Sequence, residues 1–246
     1  MSTPVRTTAA ALARALLVAL VLLATLLFTG LGTAAHAAKP RVHTVELTTP
    51  VAARATVPEG VTVWSAPRAT ASSVTLPATT SFGTPRVLLA TATRGTWLRV
   101  LLPTRPNGST GWVRASDVIT RAIADEVRVD LAAHTLTWWH AGSVALESPV
   151  AVGAPETPTP AGTFFVTDLL QNADPAGAYG PFALGLSAHS DTLSEFAGGD
   201  GQIGVHGTDT PWSIGQSVSH GCVRVPNDVV ERLAHGLPLG TRVVIG

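Results

Sequence analysis

The chain has 246 residues, 16 Lys plus Arg against 16 Asp plus Glu, and a single cysteine. That length accommodates one large domain or two modest ones, and the charge balance excludes a nucleic-acid binder with a basic footprint. Charged residues make up only 13%, beside 23 Gly and 18 Pro, a composition that favours short strands and turns over long solvated helices.

In chain order, Arg6 and Arg14 precede an apolar run from Ala15 to Phe28 and a small-residue stretch, Ala34 to Ala38. This order of basic, apolar and small residues predicts a secretory signal over residues 1–37, with Ala35 and Ala37 as its A-x-A end. The run can stretch to about the minimum length that spans a bilayer, so an uncleaved N-terminal membrane anchor is the rival reading. No cysteine stands directly after the run, which excludes a lipoprotein anchor. Both readings place the remainder outside the cytoplasmic membrane, associated with the cell envelope.

Residues 38–59 show no clear periodicity and predict a linker or extended arm. A β-rich unit is predicted over residues 60–120. Its strand-like segments are Val61–Trp64, Val87–Ala90, Trp97–Val100 and Gly111–Val113, separated by Gly- and Pro-containing turns. Regular short strands of this kind predict a small barrel. The pattern "VTVWSAP … GTWLRVLLPTRPNGSTGWVRASDV" resembles bacterial SH3-like domains, which bind cell-wall material or orient a catalytic neighbour. Core packing is the expected place of its tryptophans, with a binding face as the alternative.

A second unit is predicted over residues 123–246. Val127–Leu131 and Thr135–Trp139 read as strands, and Gly142 turns the chain into Val144–Leu146. Pro158 and Pro160 exclude a central strand at that point, so a rigid connection leads to a strand at Thr163. Asp168 to Asp200 is glycine-rich and weakly periodic, and predicts a functional lid or rim. That stretch contains Tyr179, the only tyrosine, and His189. One clear helix follows, capped by Asn227, with Val229, Val230 and Leu233 on one face and Gly236 as its stop. Leu237 to Ile245 closes the chain as a strand.

Chemistry concentrates in Ser219-His220-Gly221-Cys222-Val223-Arg224, with His206 sixteen positions before the cysteine. Exported proteins use cysteines mainly in disulfide pairs, so an unpaired Cys222 reads as a reactive thiol, an intermolecular bridge or a buried structural residue. Gly221 suits a sharp turn that presents Cys222, and adjacent His and Arg charge favours the thiolate. In Gln202–His206, Ile203 and Val205 alternate with Gly204 and His206, which aims His206 away from the apolar face at a strand end. A cysteine nucleophile needs such an imidazole, and the imidazole needs a partner that holds its tautomer. Backbone N–H groups around Gly221 and Cys222 are natural donors to an oxyanion. In outline this is a thiol acyl-transfer site.

The segment "IGVHGTDTPWSIGQSVSHGCVRVPNDVVERL" resembles the L,D-transpeptidase catalytic domain of bacterial cell-wall enzymes. The resemblance extends to "VAVGAPETPTPAGTFFV" upstream and "LPLGTRVVIG" downstream. It implies a mainly β fold, in which a mixed β-sheet catalytic domain with one clear helix is preceded by the small SH3-like β-barrel. It further implies Cys222 as nucleophile, His206 as base and the Gly207 carbonyl as its orienter, with Ser219, His220 and Gly221 shaping the site. Arg224 then binds substrate or holds the loop, and Tyr179 and His189, in the rim, are the further substrate-contacting candidates. The implied partners are peptidoglycan stem peptides as donor and acceptor. The implied reaction forms 3→3 cross-links through a thioester with release of D-alanine, and requires no metal or other cofactor.

Four rivals remain beside this. Water as acceptor gives an L,D-carboxypeptidase; a decayed site gives a non-catalytic wall-binding protein. A zinc hydrolase would recruit His189, His206 and His220 with Cys222, although no compact ligand spacing supports it. A papain-like peptidase places its cysteine before its histidine, the reverse of the order here.

Overall fold

Residues 42–246 are described in a computed structural model. The expected leader over residues 1–37 lies outside the described residues. Among those described, strands dominate and a single α-helix is present, so the fold is mainly β as expected.

The first layer is a seven-stranded antiparallel sheet of β1 (Val45–Ala55), β2 (Val61–Trp64), β3 (Ser73–Leu76), β4 (Val87–Arg94), β5 (Trp97–Leu101), β6 (Thr110–Arg114) and β7 (Val118–Ala122). Their spatial order is β3-β2-β6-β5-β4-β1-β7. The expected linker is therefore corrected over most of its length. β1 pairs with β4 on one side and β7 on the other, making the sheet begin at Val45 rather than at residue 60. Its apolar pattern is irregular because the register shifts between Glu46 and Val51, and a bulge breaks the two-residue alternation that marks a strand.

Leu88, Leu89, Val100, Val113 and Val61 fill this layer's core. The tryptophans do not, against expectation. Trp64 and Trp112 are cross-strand partners, and Trp97 faces Arg114 across β5 and β6. The Trp64 and Trp97 rings meet edge to face at 5.1 Å, with the Arg114 guanidinium over both. All three tryptophans are half-buried on the outer face.

The chain crosses at the buried Ile123 into an eight-stranded mixed sheet. It contains β8 (Asp125–Asp130), β9 (Thr135–His140), β10 (Ser143–Pro149), β12 (Gly162–Gln171), β13 (Phe182–His189), β14 (Gln202–His206), β16 (Val223–Arg224) and β17 (Arg242–Ile245), in the order β10-β9-β8-β17-β12-β13-β14-β16. Two parallel pairs, β8 with β17 and β14 with β16, make the sheet mixed. The short β11 (Val152–Gly153) and β15 (Ser217–Ser219) pair separately.

The stretch from Asp168 to Asp200, expected as one long rim, is shorter than that. β12 continues to Gln171 and pairs with β13, leaving two loops, 172–181 and 190–201. α1 (Asn227–Gly236) buries Val229, Val230 and Leu233 against Leu184, Leu186, Ile203, Val205 and Val223 in one core. Full burial of each large side chain there contributes about 1.5–3 kcal/mol. Phe165 of β12 turns the other way and joins the first sheet's core, so the two layers share packing. Thr80 Oγ1 also donates to Asp168 Oδ1 across the junction at 2.5 Å.

Candidate active site

Parallel strands β14 and β16 set the site. Val205 lies opposite Val223 and His206 opposite Arg224. Ile203, Val205, Val223 and Val225 enter the core. By strand alternation, Gly204, His206 and Arg224 take the other face, as does Cys222 one residue before β16. Gly204 donates its N–H to Cys222 Sγ at 3.4 Å, and a Cβ there would stand 3.0 Å from the Leu184 carbonyl oxygen.

The turn before Cys222 is held by Ser219, whose Oγ donates to the Cys222 carbonyl at 2.6 Å and accepts the Gly221 N–H at 3.1 Å. Gly221 has φ +115°, and a Cβ there would stand 2.9 Å from Ile203 Cδ1. Only glycine fits without strain. The Ser219 carbonyl is fixed in turn by the Ala154 N–H and Thr157 Oγ1, from the rigid connection that follows β11.

His206 is buried, and its Nδ1 lies 2.6 Å from the Gly207 carbonyl. An acceptor carbonyl there requires Nδ1 to carry the proton, which leaves Nε2 as the basic nitrogen. The Tyr179 ring packs on the imidazole with centroids 4.7 Å apart. Asn227 keeps the backbone after Gly207 in place by accepting the Thr208 N–H on Oδ1 at 2.7 Å. This corrects the expected helix cap, since Asn227 makes no cap bond to α1. The packing is close: a Cβ on Gly207 would lie 2.3 Å from Asn227 Oδ1, and one on Gly180 2.6 Å from Gly207 Cα.

Tyr179, Phe196, His206, His220, Cys222 and Arg224 line one pocket of about 110 Å³. His220 stacks on Phe196, their centroids 4.9 Å apart. Arg224 is half-buried; its Nη1 reaches Thr210 Oγ1 at 3.4 Å, while its buried Nε has no partner. His189 does not line this pocket. It pairs in register with Gln202, four residues before His206, about 13 Å back along β14. Its Nε2 faces Asp200 Oδ2 at 3.1 Å.

Burial governs the electrostatics. It pushes the Cys222 thiol upward, opposed by the Gly204 N–H and by Arg224. It also lowers His206 to about 4, opposed by the Gly207 hydrogen bond and assisted by Arg224. Tyr179 is raised by burial and by Cys222, with Arg224 acting against both. The resting pair near neutral pH is therefore a thiol beside a neutral imidazole. A nucleophile and an oriented base opening into one pocket are competent for acyl transfer.

Two site residues escaped the sequence reading. Phe196 is the one aromatic of its loop, two residues before Gly198-Gly199, and Asn227 lies three residues after Arg224; neither signal points to the site without the contacts.

Residues 124–245 match the YkuD family, the L,D-transpeptidase catalytic domain. The chain is 33% identical over 151 residues to the L,D-transpeptidase-type protein YkuD of Bacillus subtilis (strain 168), covering 59% of this chain and 84% of that one. The corresponding protein of Bacillus licheniformis is 36% identical over 133 residues, covering 54% and 70%. Among solved structures, the catalytic domain of an E. faecium L,D-transpeptidase is 26% identical, with a TM-score of 0.37, covering 50% of this chain and 96% of that one. The chain belongs to the L,D-transpeptidase family and is an enzyme of that type.

Proposed function

We propose that this enzyme acts outside the cytoplasmic membrane on peptidoglycan stem peptides, forming 3→3 cross-links through a Cys222 thioester. The observation that carries the reading is the juxtaposition on β14 and β16: Cys222 and His206 open into the same pocket, with Nδ1 of the histidine held by the Gly207 carbonyl. The family to which the chain belongs supports the substrate class.

His206 Nε2 takes the thiol proton as Sγ attacks the carbonyl between the diamino acid at stem position three and the D-alanine at position four. The thiolate forms during attack rather than beforehand, because burial disfavours charge on both groups. The developing oxyanion is assigned to the Cys222 N–H, since the Gly221 N–H is engaged by Ser219 Oγ. Collapse expels the D-alanine amine, which receives the proton from His206 and leaves a thioester. The side-chain amine of a second stem then attacks, His206 accepts its proton, and the Cys222 thiol is regenerated as the new amide forms. Arg224, which lines the pocket, serves a carbonyl or carboxylate of the donor stem. The first sheet is read as an SH3-like unit that supports the site and performs no chemistry; residues 60–118 contain neither cysteine nor histidine.

Incubation with a disaccharide-tetrapeptide tests this by mass. Wild type gains the donor minus D-alanine and loses it when an amine acceptor is added, yielding a cross-linked product. Release of free tripeptide stem with no cross-link makes the enzyme a carboxypeptidase, and D-alanine release by Cys222→Ala overturns the nucleophile assignment.

A further inference from the structure

The 190–201 loop between β13 and β14 carries Phe196, whose ring stacks on His220 over the pocket that contains Cys222. Its own bonds are local. The Phe196 and Gly199 backbones bond reciprocally at the tip, Leu193 N–H donates to Ser190 Oγ, and Ser190 N–H donates to the Gly201 carbonyl. None of these fixes the loop against the rest of the molecule.

Beyond the His189 Nε2–Asp200 Oδ2 contact at its base, the loop is anchored from the first sheet. Arg105, in the turn between β5 and β6, donates through Nη1 to the Ser190 carbonyl at 2.6 Å. Its Nη2 donates to the Leu193 carbonyl at 2.9 Å and the Asp200 carbonyl at 2.7 Å. One guanidinium thus gathers three carbonyls from both ends of the loop, a task for a planar, permanently charged fork rather than for an ammonium. Two residues on, Asn107 exchanges bonds with His189, accepting its N–H at 2.9 Å and donating to its carbonyl at 2.7 Å. Gly201 completes the fit, because a Cβ there would lie 2.8 Å from Arg105 Nη2 and 2.3 Å from the Leu193 carbonyl oxygen. The two layers are joined independently by Phe165 and by Thr80 with Asp168, so losing Arg105 frees the loop rather than the layers.

We propose that Arg105, supported by Asn107, is a positioning residue: it holds the 190–201 loop so that Phe196 roofs the pocket beside His220 and Cys222, making the first sheet part of the donor site. The kinetic consequence rests on the acyl-transfer reading above; the structural consequence does not.

The test uses the full chain with Arg105→Ala, Arg105→Lys and Phe196→Ala. Three quantities are read: amide exchange at Leu193, Phe196 and Gly199, alkylation of Cys222 by iodoacetamide, and acylation by the disaccharide-tetrapeptide. In Arg105→Ala, loop exchange and alkylation rise about tenfold or more, since one hydrogen bond to a charged donor exceeds the free energy of a factor of ten. Exchange in β14 stays unchanged, KM for the donor rises with kcat little altered, and Arg105→Lys falls between. Phe196→Ala raises alkylation and KM alike. Wild-type loop exchange and alkylation in Arg105→Ala overturn the proposal, and so does faster exchange throughout both sheets, which marks Arg105 as general glue. A wild-type protein that never acylates sinks the functional reading alone, because exchange and alkylation still decide the role of Arg105.

Discussion

The His206 imidazole and the Gly207 carbonyl, neighbours in sequence, meet at 2.6 Å where β14 ends. The contact selects the tautomer, and Asn227 and Gly180 hold the carbonyl where the ring needs it. Loss of the imidazole in His206→Ala should slow Cys222 acylation by about 10²–10⁴, the usual contribution of a positioned general base. Circular dichroism should still report a folded chain. An acylation rate within threefold of wild type, taken as roughly the scatter for a non-participating residue, argues that another group takes the proton.

The same burial gives His206 a stability signature. Its folded pKa of about 4 lies below the ordinary 6.5, so the unfolded chain binds the proton more tightly. The contribution to stability is fully present above pH 6.5 and is lost as the pH falls towards 4. Between pH 7.5 and 5 it amounts to about 2 kcal/mol. Urea unfolding of wild type and His206→Gln at both values checks it; the variant should show a smaller pH dependence by about that amount.

Asn227→Ala removes the acceptor of the Thr208 N–H and should cost about 1–3 kcal/mol if that donor stays buried. Because the lost bond sits beside the Gly207 carbonyl, kcat should fall as well. Asn227→Asp retains an acceptor oxygen and should recover part of the rate. Equal rates in the alanine and aspartate variants would show that the bond to Thr208 does not govern His206.

Gly221→Ala combines a φ of +115° with a Cβ 2.9 Å from Ile203 Cδ1, and should destabilise by about 1–3 kcal/mol while displacing Cys222. Gly83→Ala is the matched control, with φ +79° and nothing within 4 Å of the added carbon. Thermal unfolding and iodoacetamide labelling of Cys222 separate the two. Only the first should change labelling.

Arg224→Lys keeps a charge but loses the planar fork. Arg224 lines the pocket, its buried Nε has no partner, and its one side-chain hydrogen bond among the described residues is the long one to Thr210. Donor KM should rise with little loss of stability, measured by steady-state acylation and by unfolding. An unchanged KM with lowered stability makes Arg224 a prop for the Thr210 loop.

What the sequence determined by itself is local. Ser219, Gly221 and Cys222 lie within four residues, and the turn they make is dictated by a short hydroxyl side chain and a missing Cβ. The helix face of Val229, Val230 and Leu233 is likewise carried by a period that needs no partner. Ile203 and Val205 aimed His206 correctly for the same reason. Only the tertiary structure decided the rest. β1 carries no clean alternation, and its pairing with β4 and β7 supplies the order that its own residues do not announce. Tyr179 and His189 looked alike, two rim residues with polar tips. Loop 172–181 folds back over His206, whereas the β13 register carries His189 about 13 Å away. Arg105 could not be linked to Phe196 at all, for the two lie in different layers and meet only where three carbonyls of a distant loop converge on one guanidinium. Such contacts depend on where separate strands are brought together, and that depends on the packing of two cores rather than on any stretch of chain.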